Sequence, residues 1–129
     1  MKNLANCKPS EFLAQTNKIR KSVNRWLTDT DIMNIRKRLP DIGEDATDDE
    51  RRTALDGQAR KNFDAILDAM LEEHPDETLE VLALLCFVEP KNVDDYPMSD
   101  YLQAMTDMMN DRAVINFFTS LISLVNQLT

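Results

Sequence analysis

The sequence predicts an all-α protein, a single compact bundle of about six helices forming one domain over residues 1–129. Three observations lead there. Glycine appears only twice and proline five times, and Leu, Ala, Met, Asp, Glu and Arg outweigh the β-branched residues. Apolar side chains recur at helical rather than alternating spacing. A chain that is 43% apolar and 29% charged has enough core material for one folded domain and is too apolar for disorder.

The elements follow in order. Pro9 opens a helix expected to run to about residue 27, with Phe12, Thr16, Ile19, Val23 and Trp26 or Leu27 on one face. Asp29 or Thr30 starts a short helix carrying Ile32, Ile35 and Leu39, and Pro40 ends it. The stretch DIGEDATD, 41–48, reads as an acidic loop. Thr47 with Glu50 three residues later matches a capping box, opening a helix to about residue 73 with Leu55, Ala59, Phe63, Ile66, Leu67 and Met70 in register. Pro75, followed by Asp76 and Glu77, suits the first turn of the next helix.

That helix contains VLALLCFVEP, 81–90. A bilayer span needs about 20 mostly apolar residues, and Glu80 and Glu89 bound this run too closely. A helix apolar all round is normally wrapped by others. Residues 76–89 are therefore expected to form a central core helix, with Leu82 and Leu85 inside. A loop, PKNVDDYPM, follows; Ser99 is the expected cap of a helix through residue 109, and a last helix covers about 111–128.

Charge is unevenly distributed. Residues 1–40 hold nine Lys or Arg against three acids, and residues 41–129 hold six against twenty, giving −8 for the chain. Lys18, Arg20, Lys21 and Arg25, then Arg36, Lys37 and Arg38, make up the basic part. Such a patch suits phosphate contacts, and a helical DNA-binding regulator is the alternative functional reading. The stronger expectation is a solvated face of amphipathic helices, since the acidic remainder repels phosphate and offers internal partners.

Catalysis is not expected. His74 is the only histidine, so no paired His site can form. Cys86 lies in the greasiest stretch, where burial raises a thiol pKa and silences it as a nucleophile. Cys7 and Cys86 are expected to be free thiols, as no secretory leader pattern opens the chain. Asp64, Asp68, Glu72, Glu73, Asp76 and Glu77 could line a magnesium site of a hydrolase. However, Pro75 interrupts the pairs, and four-residue spacing also describes a solvated helix face. No cofactor or metal is expected.

The C-terminal stretch AVINFFTSLISLVNQLT, 113–129, carries no charge. Its Asn, Ser, Thr and Gln side chains exclude a membrane span. Val114, Phe118, Leu121, Val125 and Leu128 suffice to pack it on a core. Ile115, Phe117, Ile122 and Leu124 remain, either buried on a second side or exposed as an apolar patch for a partner helix or a second copy of the chain.

Three stretches, PSEFLAQTNKIRKSV, HPDETLEVLALLCFVEP and YPMSDYLQAMTDMMNDRAVINFFTSL, resemble the small tail assembly chaperones of long-tailed phages and prophages of Gram-positive bacteria. The resemblance lies in hydrophobic pattern and touches most of the chain. It implies an acidic helical protein of the host cytoplasm that is not an enzyme. It also implies, as partner, the tape measure protein or another tail protein, held soluble during tail assembly. The resemblance carries over no site residue. It is the surplus apolar surface of 113–129 that makes Ile115, Phe117, Ile122 and Leu124 the expected partner-binding residues, and charge layout and run length that exclude nucleic acid and membrane as expected partners.

Overall fold

A computed structural model describes residues 1–128. The protein is all-α: α1 (Pro9–Thr30), α2 (Ile32–Arg36), α3 (Asp48–Asp68), α4 (Pro75–Leu85), α5 (Met98–Asn110) and α6 (Arg112–Leu128). A π-helical turn, Ala69–Glu73, extends α3, and a 3-10 helix, Pro90–Asp95, replaces part of the expected loop before α5. Among the described residues there is no strand. Where one domain over 1–129 is expected, tertiary contacts group the chain into two compact units. One comprises Met1–Ser22 and the chain from Leu79 onward, the other Val23–Thr78.

The first unit begins with a folded N-terminal turn. The Asn3 side chain accepts from Ala5 N (2.8 Å), and Asn6 Oδ1 accepts from Asn3 N (2.8 Å). Glu11 reaches back to Lys8 N (3.1 Å) from the first turn of α1, as an N3 glutamate does in a capping box. It also pairs with Lys2. The Lys2 ammonium, and then the Lys8 amide, hold the Glu11 carboxyl below the usual range.

The core of this unit is small: Cys86, Tyr101 and Ala104, with Leu82, Leu85, Val88 and Val93 against them. Tyr101, 2% exposed, donates its hydroxyl proton to Val93 O (2.7 Å). Burial pushes both the Tyr101 phenol and the Cys86 thiol up. The expectation of a central helix buried all round needs correction. Within α4 only Ala83 is fully buried, Leu82 and Leu85 are half-buried, and the helix stops at Leu85 rather than 89.

A local device explains that stop. Val88 N donates to Ala83 O (3.0 Å) and Phe87 N to Leu84 O (3.4 Å), the paired bonds of a Schellman motif. Gln15 Nε2 adds a third cap, donating to Leu84 O (2.6 Å). The motif needs a left-handed residue, usually glycine; here Phe87 adopts φ 57°. Apolar periodicity carries no trace of this turn.

In the second unit α1 ends at Thr30, and Asp31, left-handed at φ 56°, turns the chain into α2. Asp tolerates that conformation better than most side chains. Thr47 caps α3 as expected, its Oγ1 accepting from Glu50 N (3.1 Å). Asn62 is buried on α3; it donates to Arg38 O (3.0 Å) and accepts from Gln58 (2.8 Å), fastening the exit of α2.

The π turn has a specific consequence. His74 N bonds Ala69 O (2.9 Å), five residues back, so Met70 O loses its α-helical donor. Thr78 Oγ1 donates to that carbonyl (2.9 Å), the nearer of two acceptors with His74 O at 3.1 Å, and accepts from Trp26 Nε1 (2.9 Å). One hydroxyl thus satisfies two groups.

Candidate partner-binding surface

Asp111 sets the start of α6: its Oδ1 accepts from Val114 N (3.0 Å), capping the helix. Ser99, by contrast, is not the cap expected of it; α5 begins at Met98, with Pro97 before it and no side-chain cap. Tyr101, Ala104 and Met108 form the buried face of α5, and α6 packs beside it.

No described residue of α6 is buried. The row expected to pack it on the core does so only at its start. Val114 and Phe118 are half-buried, whereas Leu121, Val125 and Leu128 are exposed. This corrects the packing face. The expected partner row is open as well, with Ile115 47%, Phe117 38%, Ile122 61% and Leu124 53% exposed. Thr129, the last residue of the uncharged stretch, lies outside the described residues.

The four residues do not form one row. At about 100° per residue, Ile115 and Ile122 fall on one flank of the helix, and Phe117 and Leu124 on the other. Leu121, Val125 and Leu128 lie between them. The apolar face is therefore a single arc of about half the circumference, opposite Asn116, Ser120 and Ser123.

The structure distributes the flanks between two grooves. Ile115 and Ile122 line one of about 420 Å³, floored by Leu85, Met105, Met108, Met109 and Phe118. Phe117 lines a second, also about 420 Å³, with Leu4, Cys7, Phe12 and Leu13. There Phe12 meets Phe117 edge-on (centroids 5.1 Å), and Phe118 lies 6.1 Å from Phe12. Leu124 lines neither groove. Sequence reasoning missed the three methionines, although their spacing at 105, 108 and 109 is that of one helix face. Unbranched thioethers adapt to differently shaped apolar partners.

Electrostatics separates the units. The first holds seven Lys or Arg against eight acids, the second eight against fifteen. The two grooves beside α6 thus belong to the nearly neutral unit. Among the described residues, no group of three or more His, Cys, Asp or Glu is placed to hold a metal ion. His74 Nδ1 lies 3.3 Å from Glu77 Oε1. Both cysteines are free thiols, Cys7 half-buried and Cys86 buried. No described helix is long and apolar enough to cross a membrane.

No protein-family model, no curated protein and no solved structure matches this chain.

Proposed function

We propose that the protein is a non-catalytic assembly chaperone of the phage-tail type, acting in the host cytoplasm, which holds an apolar helical segment of the tape measure protein on α6. One observation carries the reading: the uncharged apolar arc of α6 is exposed along the helix and bordered by two apolar grooves, one lined with methionine. A helix laying an apolar row into such a groove is a recurrent mode of peptide recognition. The acidic second unit supports it, because net charge keeps a protein with an open apolar face soluble.

Ile122→Glu with Leu124→Glu tests the reading. Both side chains are more than half exposed, so the new carboxylates stand in water and helical circular dichroism should be unchanged. Each site forfeits roughly 1 kcal/mol of client burial, about half that of a fully buried leucine. A co-expressed tape measure fragment should then shift from the soluble to the pelleted fraction. Undiminished solubilisation refutes the proposal. So does loss of self-association alone, which would assign the face to a second copy of this chain. The DNA-binding alternative is tested by mobility shift at low salt; sequence-preferring duplex binding lost on reversing Lys18, Lys21 and Arg25 would put that reading first.

A further inference from the structure

The second unit carries an apolar groove of about 360 Å³ on the paired helices α2 and α3. Its floor comes from Leu55, Ala59, Phe63 and Ile66, the α3 row whose spacing predicts a packed face. Instead Phe63 is 60% exposed, and Leu39 on the rim is 80% exposed. Burial of Asn62 and its bond to Arg38 O fix the residues after α2 beside this floor.

The rim is cationic within an otherwise acidic unit. Arg36 and Arg38 line the groove, and among the described residues no carboxylate does. Arg36, Lys37 and Arg38 are exposed, and none has an ion-pair partner among the described residues. The unit holds fifteen acids, and none of them lines the groove beside Arg36 and Arg38.

We propose that this groove is a docking site for a partner helix that presents one apolar row bordered by carboxylates. The apolar row would cover Phe63, Leu55 and Leu39, and the carboxylates would meet Arg36 and Arg38, whose planar guanidinium groups donate two parallel bonds to a carboxylate. Charge selects the occupant. A basic segment brings like charges together at the rim, and an uncharged one leaves the cations unmatched. The site is independent of α6 and of the chaperone reading.

The test uses the full chain and fluorescence anisotropy with three short synthetic helical peptides. One carries leucines on one face with glutamates beside them; a second has lysine for glutamate, and a third alanine for leucine. The first should bind, and the other two about tenfold more weakly or not at all. Arg36→Glu with Arg38→Glu should weaken the first peptide by about tenfold, an expected effect of reversing two rim charges. Added salt should weaken it as well. Phe63→Ser, a change at an exposed site, should weaken it without loss of helicity. Ile122→Glu with Leu124→Glu should leave it unchanged. Equal binding of the lysine peptide, indifference to the arginine reversal, or no binding by any peptide overturns the proposal. Binding lost in the α6 variant, or a DNA duplex that binds more tightly than the peptide and is lost in the arginine variant, overturns it too.

Discussion

Replacing Thr78 with valine keeps the shape of the side chain and removes its hydroxyl. Two groups then lose their partner. Met70 O has already given up its α-helical donor to the π turn, and Trp26 Nε1 has Thr78 Oγ1 as its acceptor at 2.9 Å. An unsatisfied buried polar group costs about 1–3 kcal/mol. Thr78, Met70 and Trp26 are all half-buried, so the lower end applies to each, about 2 kcal/mol together. Trp26→Phe removes only the indole donor and should cost about 1 kcal/mol beyond any packing change. Because both substitutions break the same bond, their costs should not add: in the double variant the indole donor is gone and only Met70 O stays unsatisfied, so its cost should fall short of the sum by about 2 kcal/mol. Urea unfolding followed by far-ultraviolet circular dichroism measures all four proteins without relying on Trp26, the only tryptophan. A Thr78→Val cost below about 0.5 kcal/mol, or strict additivity, would refute the idea that this hydroxyl holds the turn together.

Three further outcomes are expected. At Phe87, which is left-handed, Phe87→Gly should be more stable than Phe87→Ala by about 1 kcal/mol, reversing their usual helical order; thermal melts of the two variants decide it. Asp111→Ala should remove the α6 cap and cost about 1 kcal/mol, read as faster amide exchange at the start of α6. Glu11 is depressed chiefly by Lys2, so its clasp contributes above the normal glutamate pKa and is lost as pH falls through the lowered value. Lys2→Met should move the Glu11 titration upward in a carboxyl-detected NMR experiment, and an unmoved titration would contradict the pairing.

How much of this was legible in the sequence differs from element to element. The centres of the helices and the Thr47 cap were, because caps and periodicity are local signals; the end of α2 was not, since it stops at Arg36 and leaves Leu39 and Pro40 outside. The end of α4 was not: Leu85, Cys86, Phe87 and Val88 look like uninterrupted helix, and nothing in a phenylalanine announces a left-handed turn. An all-apolar helix implies wrapping and so puts Leu82 and Leu85 fully inside, yet the core they join consists of a cysteine, a tyrosine and an alanine. The α3 row from Leu55 to Ile66 shows the same limit, since an apolar stripe cannot say whether another helix covers it. On α6 Ile115, Phe117, Ile122 and Leu124 were identifiable as candidates for exposure, but the exposure of Leu121, Val125 and Leu128, the division into two flanks and the methionine floor depend on which helix lies beside them. The π turn had no sequence signal at all.

Beyond Phe118, α6 has no half-buried side chain to hold it: every described residue from Thr119 to Leu128 is exposed. A helical segment of that length is marginal in water by itself, so these turns persist as an extension of the capped and anchored start. Exposure along their whole length puts these turns at the low-stability end of the molecule, the first expected to fray. Any ligand that requires the formed state meets an apparent dissociation constant raised by the inverse of its population. Occupancy of the first groove, which clamps Ile115, Phe118 and Ile122 at once, would raise that population for the rest of the helix. Binding along α6 would then be cooperative from its N-terminal end outward, with no second site and no change of fold required.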